Sequence, residues 1–192
     1  MGAALYYGSY LPFQKSRIFI SAFRNIQRVE SVETFRETFD SVLRFPSPVG
    51  QNEEIRFLSQ QVVELISKKP AEEASRALMS YLESYLTPII RKQTILNYTQ
   101  NFIILGGLYH AAWVNYGKQE DLEKAIAYYS RGLEASPRRP QFLYNLFDLY
   151  RASGNIGEAK KIGEQILTFW PQDQKTKEEL RRIDSGHPPA IE

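Results

Sequence analysis

The stretch Leu143-Tyr144-Asn145-Leu146-Phe147-Asp148-Leu149-Tyr150-Arg151-Ala152-Ser153-Gly154-Asn155 decides the reading of this chain. Leu143, Leu146 and Tyr150 recur at spacings of three and four, one stripe of an α-helix, and Gly154 interrupts the run as a turn residue would. A second helical run follows, carries Ala159 and closes at Pro171. Ala125 and Pro137 stand 34 residues ahead of Ala159 and Pro171. A helix pair repeated at that period cannot bury its own apolar face, so it stacks on its copies.

The pattern resembles the tetratricopeptide (TPR) repeat, a helix–turn–helix unit of that period. In the last unit Leu143, Leu146, Tyr150, Gly154, Ala159 and Pro171 match the pattern. Phe147 takes a place usually held by a small residue, and Gly163 one usually held by an aromatic. In the preceding unit Leu105-Gly106 with Tyr109 marks the first helix, and Ala125, Tyr129 and Pro137 mark the second. Gly106 and Ala125 are 19 residues apart, where the repeat has about 12. The surplus of about seven is expected either as two added helical turns or as a polar loop at Lys118-Gln119-Glu120-Asp121. The resemblance implies an all-α, right-handed superhelix of stacked antiparallel helix pairs, closed by a C-terminal capping helix.

The rest of the chain is also helical in period, with no alternating strand pattern. Ile18, Ala22, Ile26 and Val29 form one stripe, and Ser31 is an N-cap for a helix carrying Val32, Phe35, Phe39 and Val42. Phe45-Pro46-Ser47-Pro48-Val49-Gly50 breaks the pattern. The next helix has Glu53 and Glu54 in its first turn, where acids suit the dipole, then Ile55, Leu58, Val62 and Leu65, ending at Lys68-Lys69. Pro70-Ala71-Glu72-Glu73 starts another, expected to end at Thr87-Pro88. Further helices are expected over 90–116, 121–135, 140–152 and 156–169, with a solvated cap from Asp173 to Ile183. The domain reading is an N-terminal arm (1–12), a weakly repeat-like helical region (13–92), two repeats (93–171), the cap (172–183) and a tail (184–192) containing His187.

The 192 residues are 43% hydrophobic and 24% charged, an ordinary globular balance. A net charge of +2 gives no reason to expect nucleic acid as partner. Cysteine is absent, which excludes disulfides and thiolate metal sites. No stretch reaches the ~20 apolar residues that span a bilayer. Residues 3–13 are aromatic and uncharged, with Lys15 and Arg17 just beyond. Two readings stay open: an arm packed on the first helix, or the end of a membrane segment, since tyrosines favour the bilayer interface. Met1-Gly2 resembles an added start, which leaves an upstream extension open.

The order of features is similar to one larger family. An aromatic-Pro-Phe start, a helical spacer, the stretch Pro48-Val49-Gly50-Gln51-Asn52-Glu53-Glu54-Ile55-Arg56 and two closing repeats resemble the C-terminal region of bacterial O-antigen ligase and polymerase membrane proteins. Leu133-Glu134-Ala135-Ser136-Pro137 running into Pro140-Gln141 fits the same style. The resemblance implies an accessory domain on the extracytoplasmic face of a bacterial membrane, reached through an upstream region. That family's catalytic residues lie in its membrane body, so none is carried onto this chain. The alternative is a free-standing cytoplasmic adaptor that captures a protein segment.

No constellation for catalysis, a metal or a cofactor emerges. His110 and His187 are far apart, and His110 reads as a packed or groove residue. Gly106-Gly107 lies inside a helix and is no phosphate loop. Asn97-Tyr98-Thr99 matches the glycosylation sequon, a pattern common by chance. Glu53-Glu54, Glu72-Glu73 and Glu178-Glu179 read as helix-end or solvated acids, and Arg138-Arg139, Lys160-Lys161 and Arg181-Arg182 as solvated faces flanked by acids. The TPR resemblance implies that first helices line the concave face. It therefore offers Gln100, Ile103, Ile104, Gly107 and His110, then Gln141, Tyr144, Asn145, Asp148 and Arg151, as the binding groove for a peptide, a protein segment or a glycan. An Asp148–Arg151 ion pair one turn apart is the competing use of those two charges.

Overall fold

The structure, a computed structural model, describes residues 2–25, 31–48, 50–68, 72–92 and 98–185. Ile26, Val29, Val49, Lys69, Pro70, Ala71, Asn97 and His187, invoked above, lie outside these residues. Every regular element among the described residues is a helix, with no strand among them. The chain divides into two compact units, Met1–Pro88 and Ile89–Glu192.

In the first unit α1 (Gly2–Leu5), a π turn (Tyr6–Tyr10) and α2 (Leu11–Asn25) follow without a break. The Leu11 N–H donates to the Tyr6 carbonyl, five residues back. Pro12 has no N–H and its ring crowds the carbonyl four residues before it, so the helix widens there. Over the expected arm, 1–12, the described residues run into α2 without a break, and residues 3–10 are exposed.

Next come α3 (Val32–Leu43), capped by the Ser31 hydroxyl accepting from the Thr34 N–H at 3.1 Å, and α4 (Gln51–Ser67). Glu54 does not sit in solvent at the start of α4. It is buried and pairs with Lys15 of α2 at 2.9 Å. Phe19 and Phe23 meet the Phe57 ring edge-on, at 5.6 and 4.7 Å. α5 (Glu72–Lys92) is tied to α3 by the Tyr81 hydroxyl donating to Asp40 and the Tyr85 hydroxyl donating to the Leu43 carbonyl, both at 2.8 Å. Its expected end at Thr87-Pro88 is corrected. The helix continues through Pro88 because Leu86 and Ile90, one turn apart, are both buried, and that burial outweighs one missing backbone bond.

The second unit is a tetratricopeptide-like stack. α6 (Tyr98–Tyr116) pairs with α7 (Gln119–Ala135), α8 (Pro140–Ala152) with α9 (Ile156–Phe169), and α10 (Gln174–Asp184) closes on α9. α7 packs on α8, and α6 also touches α8. The surplus residues of the first repeat are helix, not loop: only Gly117 and Lys118 separate α6 from α7. Gln119, Glu120 and Asp121 form the first turn of α7, where the acids suit the dipole. Gly117 and Gly154, both with positive φ (70° and 77°), make the two turns within the pairs. Ala125 and Ala159 are fully buried. The cap is less solvated than its charges suggest, for Thr176, Glu179 and Ile183 are buried on its inner face.

Candidate binding face

On α6 the positions 100, 103, 107 and 110 recur at helical spacing on one stripe. Ile103, Gly107 and His110 are half-buried there, and Ile104 is buried behind them. The Gln100 side-chain oxygen accepts from Arg139 at 2.5 Å, and Arg139 also donates to the Thr99 hydroxyl at 2.8 Å. Arg139 is therefore no solvated charge: it fastens the start of α8 to the start of α6. Burial pushes the His110 imidazole below its ordinary value, and Asp148 of α8 opposes that shift.

On α8, Gln141 and Asp148 are exposed and Asn145 is half-buried, its amide donating to the Gln141 carbonyl at 2.7 Å. Burial pushes the Asp148 carboxyl above its ordinary value, and Arg151 on its own helix, Lys175 on α10 and His110 on α6 oppose that shift. Asp148 is thus within electrostatic reach of His110 from α6 and of Lys175 from α10. Tyr144 forms a second cluster. Its hydroxyl donates to Asp173 at 2.6 Å and its ring stacks on Trp170 at 6.0 Å.

Arg151, expected to meet a ligand, is turned inward. It is 7% exposed, pairs with Glu179 of α10 at 2.5 Å and with Asp148 at 3.3 Å, and lies 5.2 Å from the Phe147 ring centre. Glu179 is correspondingly buried, which corrects the reading of Glu178-Glu179 as a solvated pair, while Glu178 stays exposed and pairs with Arg182 at 3.1 Å. The other basic pairs have acid or aromatic partners: Lys160 with Asp184 and Lys161 with Glu158, each at 2.5 Å, and Arg138 over Phe169 at 5.3 Å.

Sequence reasoning missed Lys175 as a neighbour of Asp148, and Asp173 and Trp170 as partners of Tyr144. Asp173 carried a signal, being an acid three residues ahead of Thr176. Its carboxylate caps α10, accepting from the Thr176 N–H at 3.1 Å and hydroxyl at 2.7 Å. Among the described residues no group of three or more His, Asp or Glu is placed to hold a metal ion.

Residues 118–174 match the family described as Tetratricopeptide repeat. The match takes in α7, α8 and α9 and begins at Lys118, so α6 lies ahead of it. No curated protein and no solved structure matches the chain. Tetratricopeptide repeats generally bind protein or peptide partners, and their domains are generally non-catalytic. No described helix is long and apolar enough to cross a membrane.

Proposed function

We propose that the second unit is an interaction scaffold that holds an extended peptide across α6, α8 and α10. We further propose that the chain is the extracytoplasmic accessory domain of a membrane glycan-assembly protein of the O-antigen ligase or polymerase type. The observation that carries the first part is that Asp148 of α8 interacts electrostatically with His110 of α6 and Lys175 of α10, one group from each successive first-position helix. Beside them Ile103 offers a half-buried apolar contact, and Gly107 carries no side chain to hold a ligand off. Gln141 and Asn145 add amide groups that pair with an extended backbone. Arg151 is outside the proposed contact set, because its guanidinium is committed to Glu179.

The second part is supported by the resemblance in feature order from the aromatic-Pro-Phe start through Pro48–Arg56 to the closing repeats. The test is a peptide-array screen with glycans titrated alongside, repeated with Ile103→Asp and with Asn145→Ala. Peptide binding weakened about tenfold or more by either change, with thermal stability kept, is the expected result. Glycan binding alone, or peptide binding that ignores both changes, would sink the peptide reading. A blot of source cells checks the setting: a much larger band in the membrane fraction is expected, and a soluble band near 22.2 kDa would overturn it.

A further inference from the structure

The N-terminal helix exposes an apolar face that the peptide reading does not use. On α2, Phe13, Arg17, Ile20 and Arg24 follow one another at spacings of four, three and four, one stripe of the helix. Phe13 is 60% and Ile20 48% exposed, and both arginines are exposed beside them. The opposite side carries buried Leu11, Lys15 and Ala22, so the helix is anchored to its unit by one face only. Toward the N-terminus Tyr6, Tyr7 and Tyr10 are all exposed, with Tyr6 in ring contact with both neighbours at 5.3 and 5.5 Å. No acidic residue precedes Glu30.

We propose that this stripe, together with the tyrosine cluster, docks on the interfacial zone of an anionic lipid bilayer, the helix lying in the plane of the surface. The chemistry favours lipid over a protein groove. Helix-in-groove recognition uses an unbroken apolar ridge, whereas here an arginine follows each apolar residue along the stripe. A bilayer accommodates that alternation, because arginine lays its apolar stem beside Phe13 and Ile20 and raises its guanidinium to the phosphates. The Arg17 guanidinium already lies 5.8 Å from the Phe13 ring centre. Tyrosine, with a polar hydroxyl on an aromatic ring, settles at headgroup depth. The lack of carboxylates removes the repulsion that an anionic surface would otherwise exert. The inference does not rest on the peptide face, which lies in the other unit.

The test is flotation of the full chain with vesicles of phosphatidylcholine alone or mixed with phosphatidylglycerol. Binding to the anionic vesicles at least about tenfold tighter is expected, given two basic side chains at the surface. Phe13→Ser with Ile20→Ser should weaken it about tenfold or more, and Arg17→Glu with Arg24→Glu should erase the preference for charged lipid. These positions are exposed, so circular dichroism should show helix content unchanged in both variants. Absence of binding, binding blind to lipid charge, or binding untouched by both variants overturns the proposal. So does a dimer, seen by light scattering, that Phe13→Ser with Ile20→Ser dissociates while vesicles capture nothing. That outcome would give the face to a second copy of the chain.

Discussion

Phe147 and Gly163 fill one gap between α8 and α9: a Cβ on Gly163 would stand 2.9 Å from the Phe147 ring. The preceding repeat makes the same contact with the sizes exchanged. There the glycine is Gly106 on the first helix, and the ring is Tyr129 on the second, 2.5 Å from where a Cβ would be. The two residues of the last unit that depart from the repeat pattern are therefore one compensated exchange. A third glycine, Gly132 on α7, receives the ring of Phe142 on α8 in the same manner. Close helix approach at each seam depends on one partner having no side chain.

Gly163→Ala should destabilise the protein by about 1–3 kcal/mol, because the new methyl meets both Phe147 and Leu180 under 3.0 Å. Phe147→Ala should cost about 3–5 kcal/mol through the cavity it leaves. Combining Phe147→Ala with Gly163→Ala should cost less than the sum of the single changes, by about 0.5–3 kcal/mol, because the truncated ring no longer meets the new methyl. Urea denaturation of the four proteins measures the coupling, and strict additivity would show that the two positions do not share a gap.

Arg151 and Glu179 join α8 to α10 out of solvent. Removing one partner strands a buried charge, so Arg151→Met should cost about 3–5 kcal/mol. Replacing both, as Arg151→Met with Glu179→Leu, should return the stability to within about 1 kcal/mol of the parent, since apolar groups of similar volume fill the space. Arg182 keeps Glu178 as its partner in the double variant. A double variant as weak as the single one would mean that the ion pair is not what links the helices.

What could be read from sequence was whatever local spacing dictates. Leu143, Leu146, Tyr150, Ala125 and Ala159 announce helix pairs because only a stacked helical repeat needs small and large residues at that period. Ser31 announces a helix start because its hydroxyl replaces a missing backbone partner. Arg151 was illegible, since the residue that withdraws it from the surface, Glu179, lies 28 positions away on another helix. The seven surplus residues were ambiguous because Gln119-Glu120-Asp121 suits a helix's first turn and a polar loop equally. Pro88 misled for a different reason: burial of Ile90 is a tertiary gain that overrides the local penalty.

Lys15 and Glu54 form the corresponding buried pair in the first unit. Burial pushes the Glu54 carboxyl above its ordinary value, and the hydrogen bond and charge of Lys15 hold it back. Lys15→Met removes that restraint, so the carboxyl should climb further. A carboxyl whose folded value is raised is favoured in its protonated form, so the loss is fully present above the raised value and shrinks as pH falls through it. Melting at pH 7 should show a loss of about 3–5 kcal/mol that is clearly smaller at pH 5. A loss independent of pH would point to lost packing of the lysine stem.

Tyr144 and Asp173 should govern a pH window at the junction of α8 and the cap. Burial raises the Asp173 carboxyl, but hydrogen bonds from Tyr144 and Thr176 outweigh it and hold the group below 3.8. Its contribution to stability is therefore present above that ordinary value and lost as pH falls through the lower folded one. Burial and the Asp173 carboxylate push the Tyr144 hydroxyl up to about 12, so its contribution is intact below pH 10 and lost as pH rises toward 12. Tyr144→Phe deletes one donor and should raise the Asp173 value, cost about 1 kcal/mol near neutrality and remove this alkaline contribution. Titration of the Asp173 side-chain carbon by NMR measures the first effect. An unmoved Asp173 value in Tyr144→Phe would show that Thr176 alone sets the carboxylate, and that the tyrosine is held by its stacking on Trp170.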